Sequence, residues 1–279
     1  MATNSTLDRQ GVLAARQGLV PARNRARLGG FGNMLGKELG DWFATRRWIT
    51  QTFIWLVIIN GLMAFIMFAV PTIDPESQVS LGERLGQGLT LYFSFSAMFG
   101  VIGMIILAQD EIIQEKQTGT AAWILSKPVT RGSFVMTKLL SNWVGGLIFV
   151  AGLPAVIAYA EIYLDAQQAP AILPYLAGVG VILLALTFYL SLVIMLGTIF
   201  EERGPLLGIA VGLYLGGLIA SQFTNLVTYF LPVKMQDIAA MLAQGEALPT
   251  AAVSELITVG AWTILFIVVA LFRFGREEL

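Results

Sequence analysis

Six stretches of this 279-residue chain, 48–70, 89–108, 139–163, 172–200, 205–231 and 251–272, are almost wholly apolar, each reaching the roughly 20 residues that a helix needs to cross a bilayer. Little else is open to such a chain. In hydrocarbon every backbone N–H and C=O must be satisfied within the protein, so stretches of this length fold as helices. The rest agrees: 56% of residues are hydrophobic and 13% charged, too little polar surface to wrap a soluble globule of this size. The expected fold is an all-α membrane protein with six transmembrane helices.

Basic residues are retained on the cytoplasmic side of a membrane, and here they are strongly segregated. Of the 17 Lys and Arg, 15 lie before the first stretch, between the second and third, between the fourth and fifth, or after the sixth; only Arg84 and Lys234 fall in the other linkers. Both termini and the 110–138 loop are therefore expected to be cytoplasmic. The net charge of −1 conceals this asymmetry and points to no nucleic-acid partner.

Cysteine and histidine are absent. Disulfides, thiol nucleophiles, zinc-histidine sites and Ser-His-Asp triads cannot be built from these residues. No catalytic, cofactor or metal residues are assigned, and the chain reads as a non-enzyme.

Residues 1–33 are polar and Arg-containing, with no apolar core of a signal peptide; they read as a disordered cytoplasmic tail. In 34–47, Leu35, Leu39, Trp42 and Phe43 recur at helical spacing while Lys37, Glu38, Asp41 and Arg46 take other faces, which predicts an amphipathic interfacial helix. A helix packed on the protein's own loops is the alternative. The six-helix domain then occupies 48–279. Gly204 and Pro205 suit the N-cap and first residue of the fifth span. Ile238, Met241 and Leu242 predict a further re-entrant or surface helix beyond it.

The 110–138 loop is the most specific text in the chain. Asp110, Glu111, Gln114, Glu115 and Lys116 continue the second span as a polar helix until Gly119 breaks it. Thr118 or Thr120 is placed to cap a second short helix, stopped before Pro128 because the residue preceding a proline is driven out of helical geometry. Thr130 offers an N-cap for the third span. A short helix strung between two spans is a lever, and Trp123 is its natural knob for a partner's pocket. The plainer reading lets Trp123, Ile124 and Leu125 dip into the lipid interface.

These residues resemble a known family. Glu115, Gly119-Thr120, the apolar run, Ser126-Lys127-Pro128-Val129-Thr130-Arg131 and Lys138 follow the pattern of ABC-2-type ABC transporter permeases, as do Lys37-Glu38-Leu39, Arg46-Arg47, the six spans and the Phe-Gly-Arg-Glu-Glu-Leu ending. The chain lacks that family's extended outer domain. The resemblance implies a pump of two permease chains and two separate ATPase subunits, with ATP and Mg on the latter. It implies that the loop carries a coupling helix: Glu115 would brace the second span, Gly119 and Thr120 would start the helix, and Trp123 would face the ATPase. Lys127, Pro128 and Arg131 would complete the contact or its return turn. The chain has no ATP site of its own, since Gly36-Lys37 is preceded by Phe31 and followed by Glu38, failing G-x4-G-K-[ST] twice.

Gly208, Gly212 and Gly216 place small residues every fourth position along the fifth span, a pattern for close helix contact with a second copy or with another span. Glu161 and Glu255 lie near outer span ends and read as reaching the headgroups. The expected function is an ATP-driven exporter of a hydrophobic or amphipathic substrate, as a homodimer in a bacterial inner membrane. The alternative is a membrane anchor or sensor that recruits a cytoplasmic partner without transporting.

Overall fold

A computed structural model describes residues 30–127 and 129–277, and all regular structure among them is helical. Ten helices follow one another: α1 Phe31–Ala44, α2 Arg47–Ile73, α3 Leu81–Ala108, α4 Ile113–Gln117, α5 Thr120–Leu125, α6 Arg131–Ala166, α7 Ile172–Ile199, α8 Arg203–Ser221, α9 Met235–Ala243 and α10 Thr250–Gly275. The six long ones, α2, α3, α6, α7, α8 and α10, are apolar enough to cross a bilayer.

The centre of the bundle is α7, buried along 72% of its apolar stretch against 22% for α8 and for α10. It packs on α3, α6, α9 and α10. Where α7 meets its neighbours the core is aromatic. Tyr175 lies against Tyr92, Phe93 and Tyr159 with ring centroids 5.8, 5.9 and 5.3 Å apart. Its hydroxyl donates to the Ala155 carbonyl at 2.7 Å, so that the buried polar tip is satisfied.

Two spans depart from regular α-helix. α2 has wide π-helical turns at Leu56–Gly61 and Phe65–Ala69, and α6 has one at Gly146–Gly152. The α6 stretch sits just before Pro154, which has no N–H to give the preceding turn and so favours a local widening. The two distorted spans meet there, Asn60 donating to the Pro154 carbonyl at 3.0 Å.

Several boundaries differ from those read in the sequence. Helix α1 begins at Phe31 and so takes up residues assigned to the tail; residues 1–29 lie outside the described ones. Its face toward the bundle is Met34, Glu38 and Trp42; of the stripe Leu35, Leu39, Trp42 and Phe43, Trp42 alone is buried, Leu35 and Leu39 being half-buried and Phe43 exposed. Trp42 stacks on Phe149 at 5.6 Å and covers Gly145 of α6, where any side chain would collide with its ring. Helix α8 starts at Arg203 with Glu202 as N-cap, two residues ahead of the expected Gly204. It ends at Ser221, short of 231, and Thr224 caps a separate 3₁₀ turn, Asn225–Tyr229, by accepting from the Leu226 N–H at 3.2 Å. The polar run that begins at Ser221 accounts for the early stop.

The expected helix after the fifth span is α9. It folds back into the bundle, burying Met235, Ile238, Ala239, Ala240 and Ala243 against α7 and α3. Gly178 of α7 permits this approach, because the Ala239 carbonyl oxygen lies 2.6 Å from where a Cβ would stand. Glu255, 4% exposed, accepts from the Lys234 N–H at 3.2 Å. It pins the start of α9 and does not reach outward.

Candidate functional site

The site grows from the end of α3. After Ala108 the chain passes through a turn whose Ile112 is buried, and α4 starts at Ile113, also buried. Gly119 then adopts φ 71°, a left-handed geometry open to glycine at no steric cost, and the backbone reverses into α5. The N-cap is Gly119, not Thr118 or Thr120; those two hydroxyls bond each other at 2.9 Å instead. Helix α6 starts as expected, with the Thr130 hydroxyl accepting from the Ser133 N–H at 3.2 Å. Pro128 lies outside the described residues.

On α5, Ala121 and Ile124 turn inward and are buried, while Trp123 is 62% exposed. The Lys127 ammonium sits 3.3 Å from the centre of the Trp123 ring, a cation–π contact that holds the indole in place. An exposed tryptophan held this way presents a preformed apolar surface with little entropy left to lose on binding.

Lys138 is the hub to which the loop is tied. Its side chain is 5% exposed, and its ammonium lies 2.8 Å from Glu38 of α1, 3.4 Å from Glu111 and 2.5 Å from Glu115 of α4. Arg47, at the start of α2, lies 3.2 Å from Glu111 and also donates to Asn142 of α6 at 3.5 Å. Three carboxylates and two cations from α1, α2, α4, α6 and the turn before α4 thus form one knot, buried around Lys138 and open to solvent at Arg47. It borders a cavity of about 510 Å³ lined by polar side chains including Gln51, Gln114 and Ser141. Lys138 and Glu38 are buried, Glu111 and Glu115 are nearly so, and Arg47 keeps 32% of its side chain exposed; withdrawing these charges from water is tolerable only because each has opposite charges within contact distance.

Further ties fix the loop to the rest of the bundle. Lys116 pairs with Glu277 at 2.6 Å, and Arg131 donates to the Gly275 carbonyl at 3.0 Å, so α4 and the start of α6 both hold the end of α10. Gln117 donates to the Glu201 carbonyl at 2.7 Å, and Arg203 pairs with Asp110 at 2.6 Å, which joins the loop to the α7–α8 turn. The loop, α1 and the C-terminal end of α10 therefore share one end of the bundle.

Of the residues singled out in the sequence, Glu115 enters the knot, Gly119, Thr120, Trp123 and Lys127 share α5 and its flanks, and Arg131 stands apart on the α10 end. Gly208, Gly212 and Gly216 are elsewhere. They are exposed on α8 with open space around them, whereas the face of α8 that packs on the bundle is Leu206, Ala210, Tyr214 and Gly217. Among the described residues no other span packs against these three. Glu38, Arg47 and Glu111 were missed as site residues. Lys138 was the available signal: a lysine within Phe134-Val-Met-Thr-Lys-Leu-Leu140 is expensive without several acidic partners.

No curated protein matches the chain. A family model described as ABC-2 family transporter protein matches residues 33–279, which takes in all six spans, the loop and the knot. With a match of that extent, the chain belongs to the ABC-2 family of transporter proteins, as a membrane permease.

Proposed function

We propose that this permease is the membrane subunit of an ATP-driven exporter of hydrophobic or amphipathic molecules, working as a homodimer with separate ATPase subunits that bind ATP and Mg and grip α5. The observation that carries this reading is Trp123, 62% exposed on a short helix whose two ends run into α4 and α6. Force applied to α5 passes through the Lys138 knot to α1, α2 and α6, and through Lys116 and Arg131 to α10. ATP-driven closure of the ATPase subunits would rock these helices as a group. On this reading both termini and α5 are cytoplasmic, α1 lies at the inner interface, and the membrane is a bacterial inner membrane.

The homodimer is supported by the outward stripe Gly208, Gly212 and Gly216, whose smoothness lets a second backbone approach closely. Helices α2 and α8 both flank α3, so a seam along them would place the two copies of α3 near each other.

Copurification from membranes tests the proposal. A tagged chain is expected to bring down a nucleotide-binding subunit, and Trp123→Ala is expected to lose most of it while inserting normally, because an interface tryptophan of this kind contributes about 2 kcal/mol or more, roughly 30-fold in affinity. Undiminished capture by the variant, or no nucleotide-binding subunit with the wild type, would overturn it.

A further inference from the structure

We propose that Glu161 and Asn60 form a recognition site for a protonated amine that arrives from the bilayer. Asn60 stands midway along α2 and is 3% exposed. Its amide nitrogen donates twice, to the Pro154 carbonyl at 3.0 Å and to a Glu161 carboxylate oxygen at 3.4 Å. Its amide oxygen is buried with no hydrogen-bond partner among the described residues, a costly state for a polar atom away from water. Glu161 springs from near the end of α6, but a helical side chain leans toward its helix's N-terminus, which here carries the carboxylate toward Pro154 and the middle of the membrane. The expectation that it reaches the headgroups is not met.

Among the described residues no Lys or Arg forms an ion pair with Glu161. Asp165, one turn further out on the same helix, is already held by Arg84 at 3.3 Å. A carboxylate and an orphan amide oxygen therefore stand next to each other, and among the described residues the Asn60 amide nitrogen is the one side-chain donor to them. Such a pair calls for a cation that brings hydrogen-bond donors. A bound Ca²⁺ or Mg²⁺ would need about six or more oxygen ligands, more than this place offers. A primary ammonium has three N–H donors, enough for the Glu161 carboxylate oxygens and, once the side chains over it move aside, for the buried Asn60 amide oxygen.

Access is lateral. Glu161 is only half-buried, and the residues one turn to either side on α6, Ile157 and Leu164, are 41% and 59% exposed. A ligand reaching this acid slides in along apolar surface, so it is an amphipathic amine whose hydrocarbon part stays against α6 and the lipid. This names a substrate class for the exporter and in that sense rests on the transport reading; the binding itself requires neither ATP nor a partner.

The test uses the full chain in phosphatidylcholine nanodiscs without nucleotide, with 1-aminoadamantane as probe and the neutral 1-adamantanol as its match in shape. Equilibrium dialysis against empty nanodiscs is expected to show the amine bound at least tenfold more tightly than the alcohol. Glu161→Gln is expected to abolish that preference, and Asn60→Leu to weaken it severalfold. Equal binding of the two probes by the wild type, a comparison that depends on no variant folding, would overturn the proposal. So would an undiminished preference in folded Glu161→Gln. Preference without transport would leave the site standing and count against the exporter alone.

Discussion

Replacing Lys138 with methionine keeps most of the side chain's length and removes only its charge. In the wild-type knot three carboxylates face two cations; Lys138→Met leaves Glu38, Glu111 and Glu115 with Arg47 and, at the solvent edge, Lys37. Among the described residues Lys138 is the one cation in ion-pair contact with Glu115, and it is the buried partner of Glu38, whose other contact, Lys37 at 3.4 Å, is 57% exposed. Removing one member of a buried ion pair costs about 3–5 kcal/mol because the other charge is stranded, and here more than one is. At roughly 2–4 °C per kcal/mol for a chain of this size, the unfolding midpoint should fall by about 6 to 20 °C. Glu115→Gln is the control. It leaves two carboxylates for two cations, keeps Lys138 paired with Glu38 at 2.8 Å and Glu111 at 3.4 Å, and should cost about 1 kcal/mol, the scale of a single hydrogen bond. Thermal unfolding of the purified chains in one detergent, followed by tryptophan fluorescence, measures both. Equal losses from the two variants, or none from Lys138→Met, would show that the knot does not hold charge balance in the way its geometry implies.

Gly145→Ala puts a methyl group into the space filled by the Trp42 ring and should destabilise by about 1–3 kcal/mol through overpacking, with α1 becoming the segment most open to limited proteolysis; an unchanged cleavage pattern would contradict the packing. Gly212→Leu meets open space within the chain, so stability should hold within about 0.5 kcal/mol while the dimer fraction in nanodiscs, read by light scattering, falls. Arg131→Ala removes the 3.0 Å bond to Gly275 and should speed hydrogen exchange at the end of α10 with little change in midpoint; unaltered exchange there would show that this tie carries no load.

Much of this protein was written in local sequence. Apolar run length sets the number of spans, because the bilayer demands about 20 residues of whichever helix crosses it. Gly119 and Thr130 mark the turn into α5 and the start of α6 because a left-handed residue and an N-cap are properties of one residue and its immediate neighbours. The motif around Glu115 to Lys138 and the match over residues 33–279 agree on the family. What local sequence did not determine is which way each helix faces. Periodicity marks Leu35, Leu39, Trp42 and Phe43 as the apolar face of α1, yet the helix turns Glu38 toward the bundle, because its partner Lys138 lies 100 residues further along and a buried ammonium outweighs two leucines in what it demands of its surroundings. The same holds for the smooth face of α8, the burial of α9 and the inward lean of Glu161. Each depends on what another span presents at the same depth, and that meeting is decided only when the helices pack.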